Sequence, residues 1–437
     1  MSEHAPELME SLLADSDPDS AFSRPSSSPP TGPSSGCASG PAVFSARVAR
    51  FCELADTVDS RDELEAIRHS IHQHPELAFD EVRTAELVAS QLEGWGYEVT
   101  RHVGGTGVVG RLRQGDSPRT VGVRADMDAL PIHERTGLPY ASLNAGKMHA
   151  CGHDGHTTVL LGAARQLART RNFNGTVHLI FQPAEEIGAG GGAERMLADG
   201  LFERFPCDAI FGLHNHPGVE TGTFMFRSGP FMAACDTVAI TIRGKGGHAA
   251  RPHQSIDPIL VAGSLVMALQ SVVSRNVDPN ETAVVTIGTL HAGHAPNVIP
   301  ESAKLELSVR SFNPDVRRTL EARITRLVTS HVEGYGATVE IDYIRGYPVL
   351  VNSERETEFA RQVAEELVGP DKVVGHFPLI AGSEDFAYFL QQRPGCFVRM
   401  GNGTGQPLLH NAGYDFNDEN LTIGAAYWTR LVERYLA

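Results

Sequence analysis

Hydrophobic positions along the chain follow two periods, and the switches between them mark out the elements. Leu64, Ile67 and Ile71 recur at helical spacing, and Ser60 with Glu63 ahead of them reads as a capping box opening an amphipathic helix. A second helix is expected from about Glu81 to Glu93, stopped at Gly94-Trp95-Gly96. β-rich runs follow at Tyr97–Arg101, Gly107–Arg113 and Thr120–Arg124. Next come a helical pattern over Gly155–Arg169, an apolar run at Val177–Phe181, a helix at Ala193–Asp199 and a buried-strand pattern at Ala209–Leu213. Alternation of this kind predicts a mixed α/β sheet with helices on its faces.

From about Cys235 to Tyr347 the rhythm changes. Strand (Thr237–Arg243), helix (Ile256–Arg275), strand (Thr282–Leu290), strand (Ala303–Phe312), helix (Val316–Glu333) and strand (Thr338–Arg345) give the order βαββαβ. That order matches the split-βαβ unit, a four-stranded sheet with two helices on one face. Afterwards the first rhythm resumes, with helices at Glu354–Leu367, Glu384–Leu390 and Glu419–Tyr435 and a strand at Cys396–Met400. The simplest organisation is one domain inserted into another. A lead of residues 1–45 precedes a main domain of 46–234 and 348–437, which is interrupted by an insert of 235–347.

Composition narrows the class. The chain has 437 residues, 41% hydrophobic, and 37 Lys+Arg against 53 Asp+Glu give a net charge of −16. So acidic a surface repels a phosphate backbone or an anionic membrane, so neither nucleic acid nor membrane is an expected partner, and small molecules are. No unbroken run of about 18 apolar residues occurs, so no membrane-spanning helix is expected. The first 42 residues hold 11 Ser, 7 Pro and 3 Gly, a composition that cannot offset chain entropy by burial, and this lead is expected to be disordered. One Arg against six acids there is unlike a mitochondrial presequence. Six cysteines without repeated spacing, and no secretory signal, point to reduced thiols in the cytoplasm.

Chemistry-bearing residues gather where open α/β sheets place their sites, at strand ends. Arg124-Ala-Asp126-Met-Asp128 follows an apolar strand, and Met148-His149-Ala-Cys151-Gly-His153-Asp154-Gly-His156 puts a thiol, three imidazoles and a carboxylate into nine residues. Gln182-Pro-Ala-Glu185-Glu186 and Gly212-Leu-His214-Asn-His216 end two further strands, and Leu409-His410 lies far downstream. Each alone has a plain explanation: a lone cysteine is usually core, and paired glutamates usually face solvent. Together they supply the thiolate, imidazole and carboxylate donors that a divalent metal takes. Gly105-Thr-Gly107-Val-Val-Gly110 and Gly188-Ala-Gly190-Gly-Gly-Ala193 fit a dinucleotide fingerprint. However, the first runs into a strand pattern, and the second would set two carboxylates beside a pyrophosphate.

These motifs, with Gly244-Lys-Gly-Gly247-His248-Ala and Gly382-Ser-Glu384-Asp385-Phe386, resemble the aminoacylase/carboxypeptidase metallohydrolases. Within them the chain is most similar to the branch of hippurate hydrolases and indole-acetyl-amino acid hydrolases, over roughly residues 60 to 437. The resemblance implies a mixed-sheet metallopeptidase catalytic domain and an inserted ferredoxin-like lid that also mediates dimerisation. It further implies two divalent ions (manganese, zinc, cobalt or nickel) held by Cys151, His153, Glu186, His214 and His410, with Cys151 bridging. Glu185 falls on the position of the catalytic base and Asp126 on that of an acid orienting a ligand. His248, Asn297 and Arg310 fall on substrate-recognition positions of the lid, with His248 reaching across a homodimer to the oxyanion. Arg310 and Asn297 suit a carboxylate, so the expected substrate is an N-acyl amino acid. The same fold acting on a dipeptide, p-aminobenzoyl-glutamate, N-acetyl-diaminopimelate or an aromatic amine is the competing enzyme reading, and a metal-bound, non-catalytic binding protein is the other.

Overall fold

The computed structural model describes residues 61–437; the Ser/Pro-rich lead and the capping residue Ser60 lie outside them. In chain order the main elements begin with α1 (Arg61–Gln73), α2 (Val82–Gly94), β1 (Glu98–Val103), β2 (Gly107–Gln114), β3 (Thr120–Asp126), α3 (His153–Thr170), β4 (Gly175–Gln182), β5 (Ala209–His216) and β6 (Phe224–Met225). Then come β7 (Ala234–Arg243), α4 (Pro258–Asn276), β8 (Ala283–Ala292), β9 (Ser302–Ser311), α5 (Pro314–Gly334) and β10 (Thr338–Arg345). The chain closes with α6 (Glu354–Val368), β11 (Val373–Val374), β12 (Gly395–Gly401) and α7 (Glu419–Tyr435).

Eight strands form one mixed sheet in the order β1-β2-β4-β3-β5-β12-β6-β11. Its centre, β4-β3-β5-β12, is parallel, so these four strands deliver their carboxyl ends to one edge. β4 is buried along its whole length and β5 up to Asn215, as parallel strands covered on both faces must be. Helix α3 lies against the sheet and α7 against α3. Gly162 and Gly424 permit that close packing, since a Cβ on either would meet Ala425 or Val159 below 3.0 Å.

The stretch from β7 to β10 builds a second sheet, order β8-β9-β7-β10, antiparallel throughout. Alternate residues Val238, Ile240 and Ile242 of β7 and Leu305, Leu307 and Val309 of β9 meet Val261, Leu265 and Leu269 of α4 and Leu320, Ile324 and Val328 of α5 in a core of their own. Both helices start on a side-chain cap followed by proline. Asp257 accepts from Ile259 N at 2.9 Å, and Asn313 accepts from Asp315 N at 2.9 Å. Among the described residues α4 alone is long and apolar enough, at mean hydropathy 1.4, to cross a membrane by length and composition. One face of it packs on this sheet, and the other exposes Leu260 and Met267.

Candidate metal centre

Five segments meet at the carboxyl edge of the large sheet. Asp126 ends β3, Glu185 and Glu186 follow β4, His214 lies inside β5, Cys151 and His153 open α3, and His410 follows β12. Two boundaries differ from the sequence reading and matter here. Helix α3 starts at His153 instead of Gly155, and β5 continues to His216, so the His214-Asn-His216 run belongs to a strand where a loop was expected. Polar residues stay in that strand because their groups are satisfied: His214 Nδ1 donates to Asn215 O at 2.7 Å, and Asn215 N donates to His156 Nε2 at 3.1 Å.

Local backbone geometry aims the donors. Gly152, at φ +90°, turns the chain between Cys151 and His153, and a Cβ there would come 2.6 Å from the Tyr414 hydroxyl. Ala184 and His410 sit at φ 51° and 61°, the left-handed region that non-glycine residues enter at a cost of about 1–3 kcal/mol. Each is tied down there: Ala184 N donates to Glu81 Oε1 at 2.8 Å, and His410 N donates to Ala150 O at 2.8 Å.

Ligand atoms fall into two overlapping triads, Cys151–His153–His214 and Cys151–Glu186–His410, each with its atoms within 4.8 Å of one another. Cys151 belongs to both. Its Sγ lies 3.3 Å from His214 Nε2, while Glu186 Oε1 lies 3.2 Å from His410 Nε2 and 3.8 Å from His153 Nε2. His153 Nε2 is buried without a hydrogen-bond partner, and Glu186 Oε1 is buried beside it with His410 Nε2 as its near neighbour, so these atoms converge on a shared space. Sulfur, nitrogen and oxygen donors converging with orphaned atoms fit a metal centre.

Surrounding groups orient these donors. His153 Nδ1 donates to Asp128 Oδ1 at 3.2 Å, and Asp128 Oδ2 accepts from Glu186 N at 2.9 Å. Asp128 therefore makes the hydrogen bond to His153, where Asp126 was expected to orient a ligand. Asp126 is turned instead toward Arg124 (2.7 Å) and His156 Nδ1 (2.6 Å). The fully buried Arg124 also donates to Gln182 Oε1 at 2.8 Å and to Glu384 and Asp385 at 3.0 Å each. Charge sets the protonation states. Burial opposes a charged His153, but Asp126 and Asp128 outweigh it and hold the imidazole up at about 10. For Glu185, burial and the neighbouring Glu384 and Glu186 push the carboxyl well above its usual range. Burial with Glu186 and Glu185 does the same to the Cys151 thiol, and burial with Arg399 pushes His214 well below the usual imidazole range.

A cavity of about 850 Å³ opens over Cys151, Glu185 and His214, and Arg310 reaches into it from β9, donating to Ser383 Oγ at 3.0 Å. His248 and Asn297 do not line it. They lie together and exposed, where residues 247–248 pair with 298–299. Sequence reasoning gave no role to Glu81, Tyr347 or Arg399. The Tyr347 hydroxyl donates to Glu185 O and accepts from Gly188 N at 2.9 Å, pinning the loop that carries both glutamates.

A model of peptidase family M20/M25/M40 matches residues 122–434. The chain belongs to this family. As an M20 chain it is 45% identical over 384 residues to a hippurate hydrolase of Campylobacter jejuni, covering 88% of this chain and 99% of the relative. It is 39% identical to an IAA-amino acid hydrolase of Arabidopsis thaliana, covering 89% of each. Its fold is similar to a crystal structure from Bacillus subtilis described as a dinuclear metal binding peptidase of the M20 family. That match has 35% identity and TM-score 0.74, over 86% of this chain and 98% of the other.

Proposed function

We propose that this M20 chain is a metal-dependent amidohydrolase that cleaves N-acyl amino acids, of the hippurate or aromatic-acyl kind, into a carboxylic acid and an amino acid. The observation carrying this reading is the pair of donor triads sharing Cys151, with Glu185 beside them. Cys151, His153 and His214 would hold one divalent ion and Cys151, Glu186 and His410 a second, from among manganese, zinc, cobalt and nickel. Bound there, the ions supply Lewis acidity that brings a water molecule toward neutral pKa. Glu185 would take a proton from the water as its oxygen adds to the amide carbonyl carbon, and would pass that proton to the nitrogen as the C–N bond breaks, leaving a carboxylic acid and a free amine. Asp126 acts indirectly, by fixing His156 and Arg124. Arg310, whose guanidinium is not ion-paired among the described residues, takes the amino-acid carboxylate.

On this reading residues 235–347 are the lid and the dimerisation domain. Support comes from the separate core, from the exposed Leu260 and Met267 on α4, and from the edge of β8, which is unpaired among the described residues. His248 and Asn297, remote from their own cavity, serve the cavity of the partner subunit. The four cysteines of the described residues are unpaired, as a cytoplasmic location would keep them. The experiment is Glu185→Gln, assayed on N-benzoylglycine with metal restored after chelation. Turnover is lost while two ions per chain are retained; retained turnover, or no turnover by the parent on any N-acyl amino acid, overturns the reading.

A further inference from the structure

Arg399 has no counterpart in the machinery described so far. It lies on β12, in register with His214 of β5, and its side chain is 3% exposed, yet it lines the same cavity as Arg310 and Glu185. Of its five N–H donors two find long, weak acceptors, Asn215 O at 3.3 Å and Met232 Sδ at 3.3 Å, and Nε is buried without any. No carboxylate of the described residues pairs with it. The other buried arginine at this edge, Arg124, is saturated by Asp126, Glu384 and Asp385. A guanidinium held out of water without a direct carboxylate partner is costly; Glu384, Cys151, Glu185 and Asp126 act on it from beyond ion-pair distance, and burial still pulls it below its ordinary value. A structural anchor for Asn215 would need only a neutral donor.

We propose that Arg399 is a specificity residue that binds an acidic group on the acyl portion of the substrate, so that the preferred substrates are half-amides of dicarboxylic acids with amino acids. This rests on the function proposed above and narrows its substrate class. Arg310 belongs to the second sheet and, on that reading, grips the amino-acid carboxylate. Arg399 belongs to the large sheet, in register with His214, and the anion assigned to it is a second one, on the acyl portion. Met232 and Ile380, which line the cavity with it, supply apolar surface for a short aliphatic spacer.

The test compares N-succinylglycine with N-butyrylglycine, and N-glutarylglycine with N-pentanoylglycine, on metal-restored protein. Parent kcat/KM is expected to favour the acidic acyl group by at least about tenfold, the scale of one charge-assisted bidentate contact. Arg399→Met brings that ratio to about unity, and Arg399→Lys keeps part of it. Calorimetric binding of N-succinylglycine, weaker by a similar factor in Arg399→Met, supplies a readout independent of turnover. A parent without the preference, a ratio unmoved by Arg399→Met, or an Arg399-dependent preference for an acidic amino acid instead of an acidic acyl group overturns the inference. Hydrolysis of N-benzoylglycine without any preference for acidic acyl groups sinks this inference alone. No hydrolysis of any N-acylglycine sinks the proposed function, and equal binding of N-succinylglycine by the two proteins then sinks the inference as well.

Discussion

Glu81 offers a test of how the site is held in place, through the pH dependence of stability. Its carboxyl is fully buried ahead of α2, accepts from Ala184 N at 2.8 Å and from Thr106 Oγ1 at 2.5 Å, and so carries the loop that presents Glu185. Burial pushes it up to about 7 from an ordinary 4.5, with Thr106 opposing and Asp128 assisting. The folded protein therefore binds more protons than the unfolded chain between those values, so this group's cost to stability grows as pH rises from 4.5 and is complete above 7. A shift of that size corresponds to about 3 kcal/mol at 1.36 kcal/mol per pKa unit. Glu81→Gln keeps an oxygen for Ala184 N and an amide for the Thr106 hydroxyl but cannot ionise. Urea unfolding of chelated parent and variant is measured from about pH 5 to 8.5, and the difference between the two curves removes the contributions of every other group, Glu185 included. The variant should gain on the parent progressively, by about 2–3 kcal/mol at the alkaline end. A difference flat to within about 0.5 kcal/mol across that range would refute the reasoning, since an ionising Glu81 cannot leave the curves parallel.

Sharing of Cys151 by both triads predicts that His410→Ala retains one ion per chain while Cys151→Ala weakens both. Metal analysis after dialysis checks this, and identical losses in the two variants would contradict a bridging thiol. Arg124→Met leaves Asp126, Glu384 and Asp385 buried without their cation and should cost about 3–5 kcal/mol in urea unfolding; an unchanged midpoint would remove Arg124 from the framework. Metal restoration to chelated protein should raise stability by about 2.7 kcal/mol per ion at a hundredfold excess over Kd, read as a thermal shift. Near pH 7.5 that restoration should also release on the order of three protons, because His153 at about 10 and the raised Cys151 thiol must both deprotonate to ligate and the raised Glu185 carboxyl ionises beside the ions. Calorimetry in buffers of different ionisation enthalpy reads that number, and zero release would contradict the assignment of both ligands.

The legible parts of this site are those where a periodic pattern stops abruptly at polar residues. Val177–Phe181 runs into Glu185-Glu186, and an apolar strand runs into Asp126, because parallel strands must be apolar within the sheet and can carry chemistry only beyond it. The order of elements from β7 to β10 was readable for a related reason: each strand alternates and each helix is capped. Harder to read was β5, where His214 and Asn215 look like loop residues. Only the fold brings His156 and the Asn215 carbonyl close enough to satisfy them within a strand. Nor could spacing distinguish Asp126 from Asp128. Both follow the same strand, and the choice depends on Arg124 and His156 occupying one of them first. Glu81, Tyr347 and Arg399 had no local signal, since each acts on residues more than 100 positions away in the chain.

Charge at the sheet edge links these groups into one argument. Arg124 contacts Asp126, Glu384 and Asp385 and His153 contacts Asp128, while Glu185, Glu186, Glu384 and the Cys151 thiol all line the cavity. Those four groups, fully ionised, would set four negative charges around one cavity, and burial together with their mutual repulsion opposes that. That is why Glu185 and Cys151 are held well above their usual ranges. Two divalent ions would balance the four charges and return Glu185 to the ionised state that a base requires. Arg399 then stands outside this set, a positive charge beside His214 that no carboxylate of the described residues pairs with directly. A purely structural edge would have no reason to keep it, whereas an edge that receives an anionic substrate does.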